Sequence, residues 1–284
     1  MLKVVGVVGL GTMGAGIAQV CLEAGHQVIG CDGSSEARIR GEMRVRQGLE
    51  RRVAKGALDA VGLAEALARL KIADEVAALA EADLVIEAIA EIPEAKHRLF
   101  RTLAGIVKPQ AILATNTSAI SVTGIAEASG RPDHVVGLHF FNPAPVMPLV
   151  EVVRTVHVDS DVYAAAIAFV KGLGKQAVSC PDTPGFIVNR ILVPMLNDAV
   201  RALEETGADP ADIDRALVAG AGWPLGPLAL IDLIGVDVQV HASEALAAGL
   251  EDQRLAPHPT LLRMLGDGQL GRKTGQGFHT YDAS

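Results

Sequence analysis

The chain has 284 residues and a formal net charge of −8; half of its residues are hydrophobic and only 3% are aromatic. This length exceeds what one hydrophobic core usually accommodates, so we expect two domains, and the composition is that of a folded α/β protein rather than a disordered or fibrous one. The acidic balance and the shortage of aromatic side chains argue against nucleic-acid binding, which requires a basic surface and stacking rings.

The first residues, MLKVVGVVGLG, form an apolar run that leads directly into a glycine-rich turn. They lack the basic region and the cleavage site of a secretory signal, and no apolar stretch reaches the roughly 20 residues that a membrane helix needs. Three cysteines, Cys21, Cys31 and Cys180, are too few and too scattered for a disulfide framework or a zinc cluster. We therefore expect a cytoplasmic protein that binds neither a membrane nor a metal ion.

The turn GLGTMG has G-x-G-x-x-G spacing after a predicted strand and opens a predicted helix. Such a helix start presents backbone N–H groups and a positive dipole end to a diphosphate. The next strand ends in a carboxylate that would bind the adenosine ribose and repel a 2′-phosphate, so the pattern predicts NAD rather than NADP. The alternative is a glycine turn needed only for packing. The predicted cofactor contacts in this region are Gly9, Gly11, Thr12, Met13, Gly14 and Asp32.

Short Val/Ile/Leu runs alternate with longer helical stretches from residue 3 to about residue 179, the pattern of βαβ units around a parallel sheet. Between the second and third predicted strands, residues 34–70 are expected to form a helical hairpin with a basic face. That face is either a solvated surface or a docking site for a phosphate-bearing ligand. The predicted strands are KVVGVVG, QVIGCD, DLVIEAI, AILATN, HVVGLHF, LVEVVRT and KQAVSC.

A domain boundary is predicted at SCPDTPGF, where two prolines and a glycine follow the last strand. Residues 1–181 are expected to form a Rossmann-like, mostly parallel NAD-binding domain that carries the helical hairpin. Residues 182–284 are expected to form an all-helical domain. Its first helix is strongly apolar, which is typical of a helix that packs on another domain or a second subunit.

The segment GLHFFNPAPVMPLVE places His139 at the end of one predicted strand and Glu151 early in the next. Oxidation of an alcohol requires a base that takes the hydroxyl proton, and histidine suits this role. If the proline-rich turn folds the second strand back beside the first, the carboxylate can fix the imidazole tautomer. The residue types alone favour the alternative, a hydrogen-bonded core histidine and a surface glutamate.

Several motifs in collinear order strongly resemble the 3-hydroxyacyl-CoA dehydrogenase family, in particular its short bacterial members that act on 3-hydroxybutyryl-CoA. They are GLGTMGAGIA, NTSAI, GLHFFNPAPVMPLVEVV, DTPGFIVNRIL, GPLALIDLIGVD and LGRKTGQGF, and they cover essentially the whole chain. The resemblance implies an NAD-dependent (3S)-3-hydroxyacyl-CoA dehydrogenase in which His139 is the catalytic base and Glu151 its partner. It also implies a homodimer formed through the helical domain.

The resemblance implies further site residues. Ser118 and Asn189 would contact the reacting substrate oxygen, and Ser118 would also lie against the cofactor. Because Asn189 belongs to the second domain, the active site is expected in the cleft between the domains. Further implied cofactor contacts are Glu91, Lys96, Asn142 and Lys273, and the candidate ligands for a coenzyme A phosphate are Lys55 and Arg52.

Some of these residues have simpler interpretations. Thr117 or Ser118 could cap the helix that follows, Asn189 could be a helix-packing amide, and Trp223 could be either an acyl-pocket residue or a core tryptophan. Many relatives carry a lysine at the position of Pro148, so a positive charge near the thioester path is missing here.

Three alternatives for the function remain at this point. The acyl group could be bound to an acyl carrier protein, or the substrate could be a free hydroxy or sugar acid, which would not need the basic hairpin. The chain could also be a non-catalytic NAD-binding protein, against which the joint presence of Ser118, His139, Glu151 and Asn189 argues.

Overall fold

The computed structural model describes residues 2–282, which divide into two compact units. The first unit ends at Thr183 and the second begins at Pro184. The predicted domain boundary, between residues 181 and 182, lies within the same short linker. No helix within residues 2–282 is long and apolar enough to cross a membrane.

The first unit is built around one eight-stranded sheet. Its strands are β1 (Val4–Val8), β2 (Gln27–Cys31), β3 (Leu70–Ala73), β4 (Leu84–Glu87), β5 (Ile112–Thr115), β6 (Val135–Phe140), β7 (Leu149–Arg154) and β8 (Gln176–Pro181). Their order is β3-β2-β1-β4-β5-β6-β7-β8, and every neighbouring pair is parallel except β6 and β7. The mostly parallel sheet and all seven predicted strands are confirmed.

The eighth strand, β3, was not predicted, because it lies at the edge of the sheet and is only four residues long. None of its residues is fully buried, so it lacks the continuous apolar run by which a central parallel strand is recognised. The central strands β4 and β5, in contrast, are buried at every position.

Six α-helices cover the sheet: α1 (Thr12–Glu23), α2 (Ser35–Ala54), α3 (Ala60–Ala68), α4 (Pro93–Ala104), α5 (Val122–Ser129) and α6 (Ser160–Gly172). Short 3₁₀ turns lie at Val76–Leu79 and Pro132–His134. The predicted hairpin is α2 followed by α3, and the side chains of Ser34 and Asp59 cap the two helices. Gly41 of α2 approaches Leu10 so closely that an added Cβ would lie 2.5 Å from the Leu10 Cβ.

The three cysteines are buried in the first unit, and none of them is paired with another cysteine among the described residues. Burial raises the pKa of the Cys21 thiol to about 12 and that of Cys180 to about 12. Burial, together with neighbouring carboxylates, raises the pKa of Cys31 to about 11. These thiols are therefore protonated packing groups rather than nucleophiles.

The second unit is helical, as predicted: α7 (Val188–Thr206), α8 (Pro210–Ala221), α9 (Pro227–Ile234), α10 (Val236–Gly249) and α11 (Pro259–Gly266). Short 3₁₀ turns follow at Gln253–Leu255 and Arg272–Thr274. The segment 226–249, predicted as one helical stretch, is two helices. Gly235 separates α9 from α10. Its φ of 111° is a backbone conformation that residues with a side chain rarely adopt.

Asp232 of α9 anchors the C-terminal segment to the helical unit. Its fully buried carboxylate accepts hydrogen bonds from the backbone N–H groups of Phe278 and His279, both at 2.9 Å, and from the Tyr281 hydroxyl at 3.0 Å. A Cβ at Gly277 would lie 1.9 Å from this carboxylate, so the chain can pass here only without a side chain.

Candidate active site

His139 and Glu151 form a buried pair across the antiparallel strands β6 and β7. The two residues are direct register partners, and Nδ1 of His139 lies 2.7 Å from Oε2 of Glu151. His139 is 6% exposed and Glu151 is 0% exposed. The strand reversal on which this interpretation depended is therefore present, and Glu151 is not the surface glutamate of the alternative.

The carboxylate of Glu151 sets the protonation pattern of the imidazole. A carboxylate accepts hydrogen bonds and does not donate them, so Nδ1 of His139 carries the proton in this contact. The ring of Phe141 lies against the imidazole with centroids 4.5 Å apart. Together, the Glu151 carboxylate and the aromatic ring fix the orientation of the imidazole.

The turn between β6 and β7 packs against the first helix of the chain. The backbone N–H groups of Val146 and Met147 both donate to the carbonyl of Pro143. Gly16 of α1 lies so close to the turn that an added Cβ would be 3.1 Å from Pro145 Cδ. The proline-rich return path is thus held by its own hydrogen bonds and by α1.

Ser118 lies in the loop after β5, which the carboxylate of Glu91 holds in place. Oε1 of Glu91 accepts hydrogen bonds from the Ser118 N–H at 2.8 Å and from the Thr117 hydroxyl at 2.5 Å, and the Ser118 hydroxyl lies 3.4 Å from it. The residue that caps α5 is Ser121, whose side chain accepts a hydrogen bond from Gly124. The capping role considered for Thr117 or Ser118 is therefore wrong for this helix.

Asn116 connects the Ser118 loop to the strand that carries His139. Its Oδ1 accepts a hydrogen bond from the backbone N–H of Phe140 at 2.8 Å. Asn116 immediately precedes Thr117, and Phe140 immediately follows His139. The structure thus brings the predicted serine and histidine to the same edge of the sheet, the edge where ligands of doubly wound folds bind.

Behind Glu91 lies a cluster that the sequence analysis did not identify as a unit. Its members are Glu87, Glu91 and Lys96, and we call it the Glu87 cluster. The fully buried ammonium of Lys96 lies 2.6 Å from Oε1 of Glu87 and 3.1 Å from Oε2 of Glu91. In this structure Lys96 holds Glu91 in place through their ion pair. Lys96 is 0% exposed, and a direct contact between Lys96 and the cofactor stays a prediction.

The pKa of Glu91 lies below its usual value. Burial alone raises this pKa, but the Lys96 ammonium and hydrogen bonds from Thr117 and Ser118 outweigh that effect. Glu91 is therefore ionised at neutral pH, as its hydrogen bonds to the serine loop require.

The glycine turn fits a dinucleotide. Gly9 has a φ of 91°, and an added Cβ would lie 2.6 Å from the Ala88 carbonyl oxygen. A Cβ at Gly14 would lie 1.7 Å from the Gly9 carbonyl oxygen, whereas one at Gly11 would meet no described atom within 4 Å. Gly9 and Gly14 are needed for packing, and Gly11 leaves space at the start of α1, where Thr12 and Met13 follow. This open, uncapped helix start suits the diphosphate of NAD.

Asp32 follows β2 and lies beside the glycine turn. Its Oδ2 accepts a hydrogen bond from the Leu10 N–H at 3.0 Å, and its Oδ1 accepts one from the Ser34 N–H at 3.0 Å. These bonds fix the carboxylate at the carboxyl end of β2, next to the turn, where the adenosine ribose is expected.

The basic hairpin contains two candidate ligands for a coenzyme A phosphate, one that forms an ion pair within the protein and one that does not. Nε of Arg52 lies 3.2 Å from Oε2 of Glu23, so this guanidinium is already engaged. Lys55, at the C-terminal end of α2, is exposed and makes no ion pair within residues 2–282. Of the two, Lys55 is the better candidate for a phosphate ligand.

Asn189 lies in the first turn of α7 and is half-buried. The buried packing amide of this helix is a different residue, Asn197, which is 2% exposed. Asn197 donates to the Ser243 hydroxyl at 3.0 Å and accepts from the Gln239 amide at 2.9 Å. The helix-packing role considered for Asn189 is thus filled by Asn197.

The structure also shows the surroundings of four other residues that the sequence singled out. Asn142 and Pro148 are exposed in the β6–β7 turn. Lys273 forms an ion pair with Asp237, whose pKa lies below its usual value because the Lys273 ammonium outweighs the effect of burial. Trp223 is half-buried and packs against the core of the helical unit, as the core interpretation predicts.

Comparisons with known proteins cover the whole chain. Residues 4–183 match the family model of the 3-hydroxyacyl-CoA dehydrogenase NAD binding domain, and residues 185–281 match that of the C-terminal domain. A 3-hydroxybutyryl-CoA dehydrogenase of Bradyrhizobium diazoefficiens is 41% identical over 281 residues, 99% of this chain and 96% of that protein. A 3-hydroxyadipyl-CoA dehydrogenase of Escherichia coli is 45% identical over 99% of this chain and 59% of that protein.

A solved structure agrees with these sequence relationships. The crystal structure of (S)-3-hydroxybutyryl-CoA dehydrogenase from Ralstonia eutropha has a TM-score of 0.96 and 41% identity to this chain, with 100% of both chains covered. The dinucleotide turn and both family domains occur together in one chain. This protein is thus an NAD-dependent oxidoreductase that belongs to the 3-hydroxyacyl-CoA dehydrogenase family.

Proposed function

We propose that this protein oxidises (3S)-3-hydroxybutyryl-CoA to acetoacetyl-CoA, reversibly and with a preference for short acyl chains. The observation that carries the proposal is the buried His139–Glu151 pair, at 2.7 Å, at the edge of a dinucleotide-binding sheet. NAD, when bound, supplies the hydride acceptor. The imidazole of His139 takes the hydroxyl proton, and the carboxylate of Glu151 stabilises the imidazolium that forms.

Ser118 and Asn189 are assigned to the substrate oxygen. A serine hydroxyl and an asparagine amide are both hydrogen-bond donors, and such donors stabilise the negative charge that develops on the oxygen during ketone reduction. Support for Ser118 comes from its exposed position in the loop that Glu91 and Asn116 hold beside β6. Support for Asn189 comes from its match to the family motif and from the separate packing role of Asn197.

The direct test is the oxidation of NADH by acetoacetyl-CoA, measured as the loss of NADH absorbance. Turnover is expected with acetoacetyl-CoA, and folded protein that binds NADH without any turnover would contradict the proposal. Longer acyl chains, including one that ends in a carboxylate, belong in the same assay, because one relative is named for 3-hydroxyadipyl-CoA.

We propose that coenzyme A carries the acyl group and that Lys55 binds one of its phosphates. The exposed, unpaired ammonium of Lys55 supports this assignment, with Arg52 as the secondary candidate. Lys55→Ala should raise the KM for acetoacetyl-CoA and leave the KM for NADH unchanged. Exposed Arg44 provides the matched control, since Arg44→Ala removes one charge from the same helix. Equal effects of both variants would indicate a general electrostatic effect of α2.

We also propose a homodimer formed through the helical unit. Ile191 and Met195 lie one turn apart on α7 and are 57% and 42% exposed, an unusual pair of apolar side chains to leave in water. Ile191→Glu should convert a dimer to a monomer in sedimentation experiments.

We further propose a cytoplasmic location and a role in fatty acid metabolism. The three protonated, unpaired thiols support the cytoplasmic location. The names of the relatives support the role in fatty acid metabolism.

A further inference from the structure

The Glu87 cluster consists of three charged side chains with a formal net charge of −1, of which two are fully buried and the third, Glu91, is 38% exposed. Glu87 and Lys96 are 0% exposed, and Glu91 completes the group. The described partners of Glu87 are the Lys96 ammonium at 2.6 Å and the Ile89 N–H at 2.7 Å, which can only donate, and the Thr115 hydroxyl at 2.7 Å. The 2.6 Å contact with the Lys96 ammonium is the geometry of an ion pair. The two glutamates and one lysine therefore leave one uncompensated negative charge.

This charge lies where the sheet changes its direction of winding. The chain proceeds from β1 through β2 to β3 on one side of β1, and from β4 through β5 to β6 on the other. Doubly wound folds bind their ligands at the carboxyl ends of the strands that flank such a point. Glu87 is the last residue of β4 and the register partner of Val8, the last residue of β1, after which the glycine turn begins.

The cluster lies on the nicotinamide side of this point. Asp32, at the end of β2, lies on the side where the adenosine ribose binds. A dinucleotide held by the glycine turn therefore extends its other half over β4, β5 and β6. Glu91 of the cluster contacts Ser118, which follows β5, and Ser118 is the residue assigned above to the reacting substrate oxygen.

We propose that the Glu87 cluster makes the protein bind NAD more favourably, relative to NADH, than it would without this net negative charge. The oxidised nicotinamide ring carries a positive charge that the reduced ring lacks, and all other groups of the two cofactors are the same. A nearby net negative charge therefore stabilises NAD selectively, and the low dielectric constant around the fully buried Glu87 strengthens the effect of that carboxylate. The inference rests on the proposed function in that the nicotinamide lies beside Ser118.

Glu87 is thereby assigned an electrostatic role that its position in a strand did not suggest. It is a positioning residue for Lys96 and, through Lys96, for Glu91, and it has no exposed surface with which to touch the cofactor. A purely structural role would change the affinities for NAD and NADH by the same factor. The ratio of the two dissociation constants separates these possibilities.

Three variants change the net charge of the cluster in steps. Glu87→Gln gives 0, Lys96→Met gives −2, and the double variant restores −1. The ratio of the NADH dissociation constant to the NAD dissociation constant should fall by about three- to tenfold in Glu87→Gln, rise in Lys96→Met, and return to the wild-type value in the double variant. Thr115→Val removes a hydrogen bond from Glu87 without changing charge, and its ratio should equal that of the wild type.

The binding measurements use fluorescence titration for NADH and competition for NAD. A shift of the ratio in the same direction for Glu87→Gln and Lys96→Met, or equal weakening of both cofactors in every variant, would overturn the proposal. If Glu87→Gln fails to fold, the comparison of Lys96→Met with the double variant tests the same charge step. The ratio is measured without substrate, so absence of turnover with acetoacetyl-CoA would contradict the proposed function and leave this result independent.

Discussion

His139 and Glu151 are direct partners in the only antiparallel strand pair of the described sheet, and their side chains meet at 2.7 Å. The contact follows from strand pairing rather than from a flexible loop. Both residues are buried, so their geometry is set before any ligand binds. The arrangement suits the proton transfer proposed for His139, because the two side chains are held by adjacent strands.

Replacement of His139 by glutamine should remove proton transfer and preserve cofactor binding. General acid–base catalysis contributes about 10²- to 10⁴-fold, so kcat for acetoacetyl-CoA reduction should fall by about a thousandfold. The dissociation constant for NADH should stay nearly unchanged, which a fluorescence titration measures. Loss of both activity and NADH binding would indicate that the histidine is structural.

Replacement of Asp32 by asparagine should reduce the preference for NAD over NADP. A hydrogen bond to a charged group contributes about 1.5–3 kcal/mol, so NAD affinity should fall by about tenfold or more, whereas NADP affinity should not fall. Asparagine retains one oxygen that can accept from the Leu10 N–H, which limits damage to the turn. An unchanged NAD affinity would show that Asp32 does not bind the ribose.

Glu91 should make the protein more stable above pH 4.5 than below it. Its folded-state pKa lies below the ordinary value of 4.5, so its contribution is present above the unfolded-state pKa and is lost as the pH falls through the folded-state pKa. Thermal midpoints of the wild type and Glu91→Gln should therefore converge as the pH decreases from 6 towards 3, a range of about three pH units. A constant difference between them would contradict the assignment.

The three thiols should be unreactive in the folded protein. Their raised pKa values keep them protonated at neutral pH, and burial blocks access to reagents. A chromogenic disulfide reagent should modify all three cysteines in denaturant. In the native protein, the reagent should react only as fast as local unfolding exposes the thiols. Rapid modification of one thiol in the native state would identify a site of local opening.

Asp232→Ala should destabilise the helical unit by on the order of 4 kcal/mol, because it leaves three partly buried donors without their charged acceptor. Trp223, the one tryptophan of the chain, packs on the core of this unit, so its fluorescence reports unfolding there. Tyr281→Phe removes a single donor and should cost about 1 kcal/mol. Similar losses in both variants would mean that the hydroxyl bond dominates the anchor.

Much of the first unit follows from its sequence because a buried parallel sheet produces strong local patterns. The apolar runs of β4 and β5 and the glycine turn with Asp32 each have a recognisable form. The edge strand β3 does not, since exposed edge positions need not be apolar. The break at Gly235 was also missed, because the apolar spacing continues from α9 into α10 and only the backbone conformation separates them.

The candidate site was predictable in its residue types and less so in its connections. The strand LVIE carries a signal in retrospect, since an ionisable residue in a fully buried strand requires a partner. That partner, Lys96, lies nine positions later on a helix, and only tertiary packing brings it to Glu87. In the same way, the sequence places a serine after β5 but does not reveal that Glu91 holds its loop.

The reversal of β7 also restricts how this protein can change over evolution. Side chains alternate between the two faces of a strand, so a shift of β7 by one residue would place Val150 or Val152 opposite His139. The same shift would turn the Glu151 carboxylate towards the core that Leu138, Val150 and Val152 help to form. Such slippage would expose a charge to hydrocarbon. The packing that stabilises the sheet therefore also excludes the registers in which the acid–base pair would be lost.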